Sequence, residues 1–445
     1  MKSVWDDAAA LRGTPLKGDT AVEAVVIGGG IAGLLIAREL RERGIQATVM
    51  EALEPLRGVT RYTTAKVTSQ HGLRYAHLAR AYGTEAARVY AETMQRAVER
   101  YEEIIARENI DCDWQRRPAF LYSEQDDDRL HEELAAAKLV GLPAEADRLT
   151  ELPFPTTGAL RFDRQASFHP LRFLAAAARE VPIWTHTFAQ FIDGHMIFTD
   201  RGCVTARHIV VATHFPFINF PGLYFARLHE ERHRVTALEG APAFEGMYRD
   251  IDPQGFSFRS AGDLLLCGTD GRRTGDTRTA PPPEHKLRLL FPGSTVAARF
   301  WTQDCITHDW LPFIGRYAAS RPDWYVATGF NTWGMTTSLV AAEIIADLIL
   351  GKETPAARLF SPQRRLSRTA VGPFVRDRGR SANGLTAGLL SRSERRCPHM
   401  GCRLQYNETD RVWECPCHGS VFDKRGRWCY GPSTDRRLEN PPKGD

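Results

Sequence analysis

The stretch EAVVIGGGIAGLLIARELRERGIQATVMEA, residues 23–52, constrains the fold more than any other part of the chain. Residues 23–30 are an apolar run ending in glycines, as expected of a buried parallel strand. Apolar residues at Ile31, Leu34, Leu35 and Leu40 then mark one face of a helix, charges fill the other, and Gly44 can end it. IQATVMEA reads as a second strand. Gly28-x-Gly30-x-x-Gly33 therefore sits at a strand-to-helix turn, and Glu51 lies 18 residues after Gly33. Gly28 makes the tight turn, Gly30 lets a pyrophosphate approach the backbone, and Gly33 lets helix and strand pack closely. The helix start around Ile31 and Ala32 supplies amide donors and partial positive charge to phosphates. Glu51 can accept hydrogen bonds from both ribose hydroxyls of an adenosine and would repel a 2′-phosphate.

This motif does not separate FAD from NAD. Two later segments favour FAD. ARHIVVATHFP (206–216) is an apolar strand ending at Ala212-Thr213. DWYVATGFNTWGMTTSLVAAEIIADLILG (323–351) is a strand, a glycine-rich loop and an amphipathic helix starting near Gly334-Met335-Thr336. A second helix N-terminus aimed into the site suits a flavin pyrimidine ring, where negative charge builds up on reduction. Taken singly, each segment also fits an ordinary βα unit of a doubly wound sheet. LLLCGTDGRRTG (264–275) has its glycines at other offsets, so no separate NAD(P)H site is expected.

Taken together, these segments resemble the D-amino-acid oxidase/glycine oxidase superfamily of FAD oxidoreductases over roughly residues 20–355. RGVTRYTTAKVTSQHG (57–72), VVATH, DWLPFIGR (309–316) and ATGFNTWGMTTS carry the resemblance beside the first motif. It implies an α/β fold: a Rossmann-like FAD-binding domain with an antiparallel-sheet substrate domain over the ring. It also implies that Thr64, Ala65, Lys66 and Val67 run along the isoalloxazine, and that the loop and helix from Gly329 to Thr336 lie at its pyrimidine end. Lys66 stands out, because a cation beside a flavin favours the anionic reduced form and tunes the ring. His71 and His169 read as histidines satisfied by local contacts, with Pro170 opening a helix. No general base is assigned.

A length of 445 residues calls for two or three domains. A net charge of +4 gives no argument for nucleic acid. The longest apolar candidate, LVAAEIIADLIL, has twelve residues, too few for a membrane span. The N-terminus has no apolar h-region, and a cytoplasmic protein is the expectation. Residues 84–108 predict a long amphipathic helix through Ala87, Tyr90, Met94, Ala97, Tyr101 and Ile104. After residue 352 the composition shifts, with nine arginines from Arg364 to Arg396, and reads as a solvated linker. The expected division is an FAD-dependent oxidoreductase over 20–355, with FAD-binding parts at about 20–85, 165–233 and 300–355 and substrate-covering parts at about 86–164 and 234–299; a linker over 356–385; and a small β-rich module over 386–445.

That last module holds five of the nine cysteines. Its pattern is Cys397-x-His399, fifteen residues, then Cys415-x-x-His418. Two loops that each offer one thiolate and one imidazole match a [2Fe–2S] cluster with two cysteines on one iron and two histidines on the other. The rival is structural zinc, whose sites usually open with two cysteines or close with two histidines, so the ligand pattern favours the cluster. CPHMGC (397–402) and CPCHGS (415–420) resemble the cluster-binding loops of Rieske proteins, and GPS (431–433) resembles their proline loop. The resemblance implies Cys397, His399, Cys415 and His418 as ligands and a disulfide between Cys402 and Cys417. Shielding within the module could protect such a disulfide in a reducing compartment. The lead-in SANGLTAGLLSRSE is short for a Rieske base, so the module looks truncated.

The reading that follows is oxidation of a small amine or amino acid at FAD, with electrons drawn off through the cluster to an external acceptor. A dehydrogenase is favoured over an oxidase. The alternative is a flavin/iron–sulfur electron-transfer or redox-sensing protein without efficient amine oxidation. A Rieske oxygenase would need two histidines and a carboxylate around a separate iron, and no such constellation stands out in the sequence. Many Rieske proteins carry a tyrosine two residues after the second loop's serine, its hydroxyl reaching a cysteine sulfur; here Phe422 has none. Hydrogen bonds to sulfur stabilise the reduced cluster. Phe422→Tyr is expected to raise the midpoint potential, and an unchanged potential counts against the argument.

Overall fold

The strand Thr20–Ile27 is fully buried from Ala24 onward, which explains its unbroken apolar run. It lies centrally in a sheet ordered Phe313–Ala318, Arg321–Thr328, Gly202–Val211, Thr20–Ile27, Ala47–Met50 and Ile183–Trp184. The five strands from Arg321–Thr328 to Ile183–Trp184 are parallel, and Phe313–Ala318 is an antiparallel edge. Helices Ile31–Glu42 and Gly334–Ile349 pack against each other, and Thr84–Glu108 lies against the second. The predicted stripe of that long helix, Ala87, Tyr90, Met94, Ala97, Tyr101 and Ile104, is buried.

A second sheet stands over the first. Its order is Thr295–Thr307, Leu228–Glu239, Leu264–Arg273, Phe256–Ala261, Met247–Asp250, Gln115–Ser123, Gly158–Ser167 and Lys66–Val67. It is antiparallel except where Met247–Asp250 runs parallel to Gln115–Ser123. The covering sheet reaches past the expected parts, because Leu228–Glu239 pairs along its whole length with Thr295–Thr307. The computed structural model describes residues 3–438 apart from 9, 126–127, 150, 253, 277–282, 391–394, 434 and 436; residues 439–445 of the expected module lie outside the described residues.

The C-terminal module is a four-stranded antiparallel meander of Gln405–Asn407, Val412–Glu414, Val421–Asp423 and Trp428–Tyr430. Its small core contains Cys397, Cys402, Leu404, Cys415, Cys417, Phe422 and Leu438.

The expected linker at 356–385 needs correction. Pro355–Leu359 is a short helix and Val371–Leu390 a twenty-residue one. Pro373 falls in the first turn, where a missing amide does no harm. The glycines that read as linker punctuation serve tertiary packing instead. A Cβ on Gly384 would sit 2.7 Å from Cys417 Sγ, and one on Gly388 would sit 2.2 Å from the Gly401 carbonyl oxygen. Leu385, between them, packs on the module core. The short lead-in is therefore the C-terminal half of this helix, packed against the cysteine loops. Nor is the arginine run wholly solvated: Arg364 is buried and grips Asp309 with two hydrogen bonds of 2.8 Å. Among the described residues no helix is long and apolar enough to cross a membrane.

Two substitutions on this helix should move stability in opposite directions. Gly379 meets nothing within 4 Å, so Gly379→Ala is expected to stabilise, by about 0.5–1 kcal/mol. Gly388→Ala should destabilise by about 1–3 kcal/mol through overpacking. Chemical denaturation of both variants reads the two signs; stabilisation by both would refute the packing role.

Candidate cofactor sites and the contact between them

Gly28 has φ +114°, and a Cβ there would lie 2.4 Å from the Ala212 carbonyl oxygen. A Cβ on Gly33 would lie 1.8 Å from the Gly28 carbonyl oxygen, so only glycine lets this helix meet this strand. Glu51 accepts the amides of Gly29 at 2.7 Å and Leu53 at 2.8 Å. Burial still raises its pKa above the usual carboxylate value. The Ile31 amide, at the helix start, donates to Thr60 Oγ1 at 3.0 Å.

These residues open onto a cavity of about 830 Å³. Gly28, Gly30, Ile31, Ala32, Glu51, Thr64, Lys66, Ala212, Thr213, Gly329, Gly334 and Met335 line it. Gly33, Ala65, Val67 and Thr336 stand behind the wall. Gly33 spaces helix from strand, and the Ala65 carbonyl accepts from Arg259. Val67 is in the core, and Thr336 donates to the Thr68 carbonyl at 3.2 Å. His71 is satisfied locally by Tyr90 OH at 2.6 Å and the Thr68 carbonyl at 2.7 Å. His169 caps the helix that Pro170 opens.

The covering sheet brings Lys66, His233, Arg249, Ser257 and Asp304 to the same cavity. Lys66 Nζ donates to the Tyr248 carbonyl at 2.7 Å and to Ser257 Oγ at 2.5 Å. Burial, then Arg249 and Arg259, holds its pKa well below the lysine range. Asp304 is pushed up to about 7, chiefly by burial, and His233 down to about 4 by burial and Arg249. Four arginines of the same sheet, Arg232, Arg234, Arg272 and Arg273, do not line the cavity. Arg249 does, and nothing in its local sequence marks it.

At the C-terminus two loops repeat one turn. The Cys397 amide donates to the Cys402 carbonyl, and the Gly401 amide returns to the Cys397 carbonyl, both at 2.8 Å. In the second loop Cys415 amide to Ser420 carbonyl and Gly419 amide to Cys415 carbonyl measure 2.8 and 3.0 Å. Gly401 and Gly419 have φ of +79° and +76°, the left-handed conformation each turn requires. Cys402 and Cys417 are disulfide-bonded across the loops. The thiols of Cys397 and Cys415 hydrogen-bond each other, and that bond, with the amides of His418 and Cys417, pulls Cys415 down against burial. The imidazoles of His399 and His418 lie edge to face, 4.9 Å apart. Nδ1 of each is buried without a hydrogen-bond partner, and burial lowers both pKa values. Ser420 Oγ is buried beside the Cys397 sulfur. Two sulfurs and two unpartnered ring nitrogens, one of each per loop, fit a [2Fe–2S] cluster.

A family model described as FAD dependent oxidoreductase (DAO) matches residues 23–348. The chain belongs to that family. A second model, Rieske [2Fe-2S] domain, matches residues 387–442. The Rieske 2Fe-2S iron-sulfur protein YhfW of Bacillus subtilis is 32% identical over 97% of this chain and 96% of its own length. Gamma-glutamylputrescine oxidoreductase of Escherichia coli is 24% identical over 74% of this chain and 84% of its own length. Among solved structures, glycine oxidase from Geobacillus kaustophilus superposes with a TM-score of 0.65 at 18% identity, covering 78% of this chain and 99% of that one. This DAO-family protein thus combines FAD with a Rieske [2Fe–2S] cluster.

In this oxidoreductase the two candidate cofactor sites share a wall. Sequence reasoning passed over FPFINFPGLYF (215–225), although its aromatic density is a visible signal. Phe215 and Phe217 line the same cavity as Gly28 and Glu51. The Phe215 ring lies 6.1 Å and the Phe225 ring 5.9 Å from the His418 ring. Asn219 Oδ1 accepts from His399 Nε2 at 2.8 Å. Gln303, from the covering sheet, donates to the Gly419 carbonyl at 2.8 Å. Next to this wall His229, His308 and Asp377 bring their ligand atoms within 4.8 Å of one another. That is the histidine–histidine–carboxylate set the sequence did not reveal. Here Arg273 holds the Asp377 carboxylate, and the group is an ion-pair knot pinning helix Val371–Leu390 to the covering sheet.

Proposed function

We propose that the protein oxidises a small amino acid or amine at the flavin and delivers the electrons through the Rieske cluster to an external acceptor, as a dehydrogenase rather than an oxidase. The observation that carries this reading is Phe215, a single residue that lines the FAD cavity and packs against the ligand candidate His418. Relatives of the flavin part are named for amine and amino-acid substrates, which supports the substrate class.

FAD supplies a two-electron acceptor for a hydride, and the cluster supplies a one-electron carrier. Gly28, Gly30, Glu51, Ala212 and Thr213 would hold the dinucleotide, and the helix start at Gly334–Met335 would face the ring. Cys397, Cys415, His399 and His418 would hold the irons. Arg249, brought to the cavity by the covering sheet, is a cation able to bind a substrate carboxylate. Asp304 is the group able to take the proton that a substrate ammonium must lose before its α-carbon gives up a hydride. Lys66, held by Ser257 and the Tyr248 carbonyl, adds a hydrogen-bond donor beside the ring.

Arg249→Met should cut kcat/KM for amino acids by roughly ten- to a hundredfold and spare amines that lack a carboxylate. Anaerobic flavin reduction should rise with pH through about 7 as Asp304 ionises. Asp304→Asn should flatten that profile; an unaltered profile removes Asp304 from the role. The wire itself is tested in Cys415→Ser and His418→Ala. Both should keep substrate-driven flavin bleaching and lose reduction of a one-electron acceptor. Full turnover with oxygen alone, undiminished in these variants, would sink the dehydrogenase reading.

A further inference from the structure

The C-terminal module also closes the far side of the FAD cavity. Lys424, Arg427 and Trp428 line the same cavity as Gly28 and Glu51. The Trp428 ring stands edge-on to Phe188, with centroids 5.7 Å apart. Phe188 follows Thr187, whose amide donates to the Glu51 carbonyl at 3.0 Å. The aromatic pair therefore stands next to the carboxylate placed to bind ribose, at the adenosine end of the cavity. Lys424 and Arg427 are exposed on the turn between the last two strands, and Arg427 is oriented by Asp423 at 2.7 Å.

We infer that Trp428, with Lys424 and Arg427, completes the FAD site: the Rieske module supplies an aromatic wall to the adenine and a cationic rim to the pyrophosphate. A half-buried indole in a cavity wall beside a second aromatic ring is the surface on which a purine stacks, and such stacking is sequence-tolerant because every base has a π-face. The cations add attraction for a diphosphate that weakens with salt. FAD affinity is then a property of both modules. The nucleotide motif alone does not set it.

The test uses the full-length protein, stripped of flavin with its cluster retained and titrated with FAD by flavin fluorescence, while circular dichroism of the cluster reports module integrity. Trp428→Ala should raise Kd by roughly tenfold. Lys424→Glu with Arg427→Glu should raise it several-fold, more at low salt than at high. Wild-type Kd in both proteins overturns the inference. Trp428 also packs on its own module, donating to the Gly431 carbonyl at 3.2 Å. If its variant loses the cluster signal, the charge-reversed protein decides alone, and an unchanged Kd there overturns the inference.

Discussion

Arg232 joins the two halves of this molecule. Its guanidinium lies over the Trp301 ring at 3.6 Å and pairs with Asp410 at 2.9 Å and with Glu414. Arg232 and Glu414 are almost wholly buried, at 3% and 2% side-chain exposure. Burial pulls Arg232 down to about 10 even with Asp410 opposing it. A pair this deep gains little net stability from its formation, since desolvation offsets much of the attraction. Losing one partner is another matter, costing roughly 3–5 kcal/mol for the charge left behind. Such a pair specifies one docking geometry more than it strengthens it.

The rest of the contact follows from that geometry. Glu414 also accepts the Gly275 amide at 2.8 Å, and Pro416 fits where a Cβ on Gly275 would be, 2.6 Å from Pro416 Cα. The second cysteine loop begins one residue after Glu414, so fixing Glu414 fixes the loop. Gln303 then meets Gly419, and His418 comes to rest between Phe215 and Phe225. Helix Val371–Leu390 closes the other side, tied to the covering sheet through Asp377 and to the loops through Gly384 and Gly388.

What could be read in the sequence was what lies close together along the chain. The glycines at 28, 30 and 33 act within one turn, and the loop ligands sit within six residues of one another in each loop. Arg249 and Asp304 could not be picked out, because they face the cavity only through the register of strands far apart in sequence. The helix at 371–390 was misread for a sharper reason. Four glycines and a proline lower helix propensity, but Gly384 and Gly388 are there because the loops approach too closely for a side chain. Propensity describes an isolated segment, and this segment is never isolated. The aromatic run at 215–225 was legible as a pattern; its meaning needed both sites in view.

The buried charge pair has one more consequence. An interface able to open needs surfaces that tolerate water on both sides. Pulling this module away would strand the Arg232 guanidinium and the Glu414 carboxylate without each other and leave Trp301 bare. The buried pair therefore favours one fixed position of the module against the covering sheet. Where the module meets the Asn219 loop, His399 is only partly covered, so the same docking that hides Glu414 leaves one cluster-ligand candidate within reach of solvent.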